Sequence, residues 1–106
     1  MWILVTAINL FFTPNQAVIC QAYGSVYEVN EPHLADLIIF EELSEVTADL
    51  LVYEQQNRLY ANKPGMWYFE DKKDFARFKI YFTHNKSEAD FIVYFTDFES
   101  FAGCSR

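Results

Sequence analysis

Alanine recurs at Ala22, Ala35, Ala48, Ala61, Ala76, Ala89 and Ala102, in steps of 13 residues broken by a single step of 15. No other property of the chain limits its fold as strongly. A tandem repeat this short is one supersecondary unit, which cannot bury its apolar face alone and must stack on its neighbours. The flanking positions keep the same period. An aromatic stands eight residues before each later alanine, at Tyr27, Phe40, Tyr53, Tyr68, Tyr81 and Tyr94. Immediately before these stand Val26, Ile39, Val52, Trp67, Ile80 and Val93. The one longer step holds Asn62-Lys63-Pro64-Gly65, the composition of an inserted turn.

Each unit therefore reads Ala-polar-apolar-x-β-branched-aromatic, followed by a polar stretch, as in Ala48-Asp49-Leu50-Leu51-Val52-Tyr53. β-Branched and aromatic residues at this density predict a strand, of about six residues, with a connector of similar length. Side chains alternate along a strand, so Ala35/Leu37/Ile39, Ala48/Leu50/Val52, Ala76/Phe78/Ile80 and Ala89/Phe91/Val93 share a face. That face carries no charge and is the predicted core. The opposite face carries Asp36, Asp49, Arg77 or Asp90, then Ile38, Leu51, Lys79 or Ile92, then the aromatic. Lys79 there predicts contact with solvent. The recurrent small alanine allows close approach of another backbone. With only 3 Gly and 3 Pro there is little material for long loops, so the expectation is a single all-β domain. The array opens at Ala22-Tyr23-Gly24 and stops at Ala102-Gly103-Cys104, with no polar cap at either end. An open solenoid needs such caps, so seven units closing into a ring are predicted.

Taken together, the units at Ala35, Ala48 and Ala89, the interrupted central unit Gly65-Met66-Trp67-Tyr68-Phe69 and the Ala102-Gly103 ending resemble the 7(1) septoil knot domain family. The resemblance runs from Tyr23 to Arg106. It implies a β-rich ring in which the chain passes round more than once and forms a seven-crossing torus knot. It implies no established activity. Arg77 departs from the family's aspartate, Gly24-Ser25 from its first unit, and Cys104 from an expected aromatic.

The net charge is -7, which argues against nucleic acid and anionic membranes as partners, since both require a basic face. Lys72, Lys73, Arg77 and Lys79 cluster in one unit and read as solvated turn and strand residues. The first charged side chain is Glu28, and Trp2 to Phe12 is a mostly apolar run. It is too short for a stable membrane span, which takes about 20 apolar residues, and it suits the apolar region of a secretory signal. Residues 1–22 are therefore expected to be a signal peptide and residues 23–106 the repeat domain of an exported protein, periplasmic or secreted. Cleavage after Ala22 removes Cys20 and leaves Cys104 alone. Cleavage after Ala17 keeps both, and ring closure then brings Cys20 and Cys104 within reach of a disulfide. Two cysteines and two histidines at these positions supply no metal framework, and no cofactor is expected.

Two sets of side chains are candidates for binding. Asp36, Asp49 and Asp90, with Asn62 equivalent, would converge in a ring on a cation such as Ca²⁺ or serve as paired carboxylates on a glycan. The simpler explanation is that each accepts backbone N–H groups where its strand starts. Repetition favours the latter, because acid–base catalysis needs carboxylates in unlike environments. Tyr53, Tyr81 and Tyr94, within the aromatic row, would stack on a sugar or anchor a protein. Their simpler role is cross-strand packing. His33 and His84 fall at different repeat positions. The serines lack a His/Asp arrangement to activate them, and there is no glycine-rich phosphate loop. The expectation is a structural or interaction module with no catalytic site. The alternative is a cation-binding or glycan-active protein built on the acids.

Overall fold

The computed structural model describes residues 20–104. The expected signal segment falls largely outside the described residues, as does the Ala17 cleavage point. Seven strands alternate with six single-turn 3-10 helices. The strands are β1 (Gly24–Glu28), β2 (Leu37–Glu41), β3 (Leu50–Glu54), β4 (Met66–Phe69), β5 (Phe78–Phe82), β6 (Phe91–Phe95) and β7 (Gly103–Cys104). Most begin two residues later than the alanine, because the alanine closes the preceding 3-10 turn. Ala35, Ala48, Ala61, Ala76, Ala89 and Ala102 each donate their N–H to the carbonyl three residues earlier. Ser44, Asn57 and Asn85 cap their turns, accepting from Val46 N, Leu59 N and Ser87 N at 3.3, 2.9 and 3.1 Å. Polar residues of this kind compete for backbone groups and so favour turns over strand continuation.

The sheet closes. Around the ring the order is β4-β1-β5-β2-β6-β3, with β3 pairing β4 again, and all six pairings are parallel. β7 fills the remaining half of the seam, antiparallel to the first residues of β3, with Leu50 opposite Cys104 and Leu51 opposite Gly103. Strands consecutive in sequence are rarely adjacent. From β1 to β3 and from β4 to β6 one other strand always lies between them, so the seven carry the chain round twice. The stagger explains how such short connectors suffice for parallel strands. Glu28 at the end of β1 lies opposite Ile80, and Ile80 opposite Leu37 at the start of β2. Each strand thus begins at about the level where its predecessor stopped, and the connector has only to pass outside the strand between. The turn at Pro32–Leu34 packs on β5, that at Glu45–Thr47 on β6, that at Lys73–Phe75 on β1 and that at Glu99–Phe101 on β3.

The ring's centre is filled by one residue from each long strand. Val26, Ile39, Val52, Trp67, Ile80 and Val93 are all fully buried. Leu50 and Phe91 extend this core, with Leu37, Phe69, Phe78, Phe82 and Phe95 packed against it. Five branched aliphatic residues leave room for one large ring, and Trp67 fills it. Its indole meets Phe69, Phe78 and Phe95 edge-on at 6.3, 5.7 and 6.2 Å, and its Nε1–H donates to Ala22 O at 3.1 Å. A buried indole N–H without such an acceptor would be costly. The ends meet at the seam. Gly65 N donates to Ala22 O at 3.0 Å, and Cys20 and Cys104 form a disulfide with a Cα–Cα separation of 5.1 Å. Cys20 to Ala22 therefore belong to the folded unit, three residues ahead of the repeat start at Tyr23.

Candidate functional site

The recurrent acids sit just before the strands and face neighbouring backbone. Asp36 Oδ2 accepts from Lys79 N at 2.8 Å, Asp49 Oδ2 from Ile92 N at 2.9 Å, and Asp90 Oδ2 from Ile38 N at 2.7 Å. Each contact is reciprocal, because Asp36 N donates to Lys79 O, Asp49 N to Ile92 O and Asp90 N to Ile38 O. A two-point clamp thus ties the starts of β2, β3 and β6 each to a strand beside it. Charge-assisted bonds from backbone N–H to carboxylate are among the stronger protein hydrogen bonds. The three carboxylates engage three different strand junctions. Among the described residues, no three His, Cys, Asp or Glu side chains come together in a way that would hold a metal ion.

Arg77, which stands where an aspartate is expected, keeps half of the clamp. Its N–H donates to Ser25 O at 2.7 Å. The hydroxyl of Ser25 supplies a different tie, accepting from Arg77 N at 3.2 Å and donating to Phe75 O at 3.0 Å. The Arg77 guanidinium lies over the Tyr23 ring, 4.2 Å from its centroid. The degenerate first unit and the arginine therefore meet at one junction: the small hydroxyl of Ser25 adds a tie of its own across it, and Tyr23 receives the guanidinium.

Tyr53, Tyr81 and Tyr94 are half-buried on the outer face of the ring, as are Tyr27, Phe40 and Tyr68. They form neither a closed pocket nor a bare platform. The most exposed apolar side chains lie elsewhere, on the connectors. Leu43 is 90 % exposed, Val46 81 % and Leu59 77 %, and Phe98 packs against Phe101 with the rings tilted and their centroids 5.3 Å apart.

A further recurrent position escapes reasoning from the sequence. Two residues beyond each aromatic stand Val29, Glu42, Gln55, Glu70, Thr83 and Thr96. Each donates its N–H to a neighbouring strand, to Ile80, Val93, Trp67, Val26, Ile39 and Val52 respectively. The side chains tuck inward under the connectors. Gln55 Nε2 reaches Met66 Sδ at 3.4 Å, and Thr83 and Thr96 accept from Asn85 N and Phe98 N. Lys86 Nζ lies 2.8 Å from Glu42 Oε2 and Thr47 Oγ1 donates to the same oxygen at 3.0 Å. Together they hold the Glu42 carboxyl below its usual range. Glu70 is the most enclosed acid of the ion pairs, its side chain only 6 % exposed. Arg58 Nε stands 2.7 Å from Glu70 Oε2, but off the line of a good hydrogen bond, so charge attraction holds that oxygen. The signal lies in the sequence two positions past the aromatic, but its side chains differ too much in kind to stand out.

A concavity of about 680 Å³ lies over the seam and is lined by Cys20, Lys63, Pro64, Met66, Glu99 and Cys104 among others. Among the described residues, Lys63 and Glu99 are the charged side chains that line it. No helix among the described residues is long and apolar enough to cross a membrane. No curated protein and no solved structure matches the chain. The model of the 7(1) septoil knot domain matches residues 19–105, the whole ring from just before Cys20 to just after Cys104. Its extent coincides with the closed array of seven units, and the chain belongs to the 7(1) septoil knot domain family.

Proposed function

We propose that the chain is an exported structural and interaction module, without a catalytic site, that contacts a protein or glycan partner through its connectors. The observation that carries this is the engagement of Asp36, Asp49 and Asp90 by backbone N–H groups of neighbouring strands. These backbone bonds give the recurrence of the acids a structural reason, which supports the reading of a module without a catalytic site. Binding then falls to exposed apolar side chains of the connectors, Leu43 and Val46 before β3 and Leu59 before β4. Export is supported by the Cys20–Cys104 disulfide, since such bonds persist in oxidising compartments. Cleavage upstream of Cys20, after Ala17, is the processing that keeps this bond.

The test is replacement of all three acids by Asn, which retains an acceptor oxygen for each clamp while removing the charge. Folding and partner capture in the exported fraction should survive. A melting temperature raised by Ca²⁺ and lowered by EDTA in the natural chain, and insensitive to both in the triple variant, would replace this proposal with cation binding. Intact mass from the exported fraction should begin at Val18 and rise by two hydrogens on reduction; a chain beginning at Met1 and confined to the cytosol would refute export.

A further inference from the structure

The route of the chain and the position of the disulfide together have a covalent consequence. Counting β7 as the place between β3 and β4, which also pair directly, strands consecutive in sequence sit two places apart round a seven-place ring, and connectors pass outside the strand between, as at β5, β6, β1 and β3. The turns that make these crossings bury no residue. They lie on the outside of a filled ring, so none of these connectors passes through the centre. After β7, one more step of the same kind, outside β4, would return the chain to β1. Cys104 and Cys20 make that step. Their groove lies over Lys63, Pro64 and Met66 at the start of β4, and Ala22 O is bound there by Gly65 N and by the Trp67 indole.

We infer that the Cys20–Cys104 disulfide is the seventh link of the winding. It converts a two-circuit path into a covalently closed seven-crossing torus knot, so it is compatible with the native fold only when it forms after the chain has wound. Knotting of the open chain is what the family name implies; the covalent lock, and the order of events it imposes, belong to this chain's own cysteines. The chemistry is ordinary thiol–disulfide exchange with a small-molecule disulfide as oxidant. One cysteine thiolate attacks the oxidant's sulfur and releases one thiol. The second attacks the mixed disulfide and releases the other. The Sγ–Sγ bond forms, the oxidant's bond breaks, and two electrons and two protons pass to the oxidant, which leaves as two thiols. The same reaction on an unfolded, unwound chain gives the same bond in a loop of trivial topology. From that loop the native ring cannot be reached without breaking a covalent bond.

The experiment compares two samples of identical mass, each with one intramolecular disulfide. The first is native oxidised protein, unfolded in guanidinium without reductant. The second is protein reduced and held unfolded for increasing times, then oxidised in guanidinium with oxidised glutathione and freed of intermolecular dimers. On dilution the first should regain its native near-ultraviolet circular dichroism. The second should lose refolding yield as the unfolded incubation lengthens, and added reductant should restore it. Hydrodynamic radius in guanidinium needs no refolding step: the first sample should be the more compact, since a knotted loop is smaller than an unknotted loop of equal length. Equal refolding yields at every incubation time, or equal radii at the longest, would overturn the inference. The Cys20→Ser/Cys104→Ser chain, which has no covalent loop, should show no dependence of yield on oxidant.

Discussion

Replacing Gly65 by alanine gives a sharp test of the seam where the ring closes. Gly65 has φ +83°, and a Cβ on it would overlap the backbone N of Gly103 and the carbonyl O of Leu51. Both obstacles are backbone atoms of the β3–β7 pairing, so neither moves without disturbing that pairing. Gly103 is the natural control. It also has a positive φ, +129°, but the nearest atom to its added Cβ is Pro64 O at an ordinary 3.8 Å. Both substitutions incur a positive-φ backbone penalty, about 1–2 kcal/mol each. Gly65→Ala adds an overpacking cost of about 1–3 kcal/mol, because β7 must be displaced or β4 pulled back. The difference between the two variants, roughly 4 to 20 °C in Tm for a domain of this size, isolates the steric part. Urea unfolding followed by circular dichroism would measure it, with m-values checked for equality so that the shift reports stability. If the two variants agree to within about 0.5 kcal/mol, within the scatter expected of independent surface changes, the seam is not the close backbone junction described here.

Replacing both cysteines by serine should lower stability by about 4–5 kcal/mol in the chain-entropy picture for a loop of 84 residues, read from urea midpoints under oxidising conditions. Trp67→Phe should cost about 1–2 kcal/mol, since it removes core volume and the indole bond to Ala22 O, measurable in the same assay. The pKa of Glu42 is depressed in the fold, so its stabilising contribution is fully present above the unfolded-state pKa and is lost as pH falls through the lower, folded one. Lys86→Met should raise the Glu42 titration midpoint, followed by carboxyl chemical shift, and remove that part of the acid dependence. Asp90→Ala should destabilise by about 1–2 kcal/mol, with Asp90→Asn costing less, because only the alanine leaves Ile38 N without its acceptor.

The ring is legible in the sequence because its units are nearly identical. Thirteen-residue spacing, an uncharged alternate face and complementary ends are all consequences of one core position repeated by every long strand. Val26, Ile39, Val52, Trp67, Ile80 and Val93 stand out as a set from their spacing alone, and all six fill the centre. The strand order is not legible. Equal units pair equally well with any neighbour on paper, and only the stagger of Glu28 against Ile80 and Leu37 decides that a strand skips one place. The alanine misleads by two residues for a local reason: its spacing makes it the first residue of a strand, but its N–H closes a 3-10 turn. The backbone clamp by Asp36, Asp49 and Asp90 follows from their place at the strand starts. The different tie at Ser25 and Arg77 is hidden, since one unit gives up the acid and another supplies the hydroxyl.

The closure of six parallel strands by the β3–β4 and β1–β4 pairings bears on the solubility of this chain. Nearly a fifth of its residues are aromatic, and segments such as Phe78–Phe82 and Phe91–Phe95 have the composition of amyloid-forming strands. An open sheet of such strands would offer its outermost backbone donors and acceptors to any other copy, and a long apolar edge invites fibres. Here each of the six has a partner on both sides, and β7 covers the part of β3 that β4 leaves. The hazard is thereby confined to chains that have not yet closed, so a lesion at the seam should express itself first as aggregation and only afterwards as lost stability.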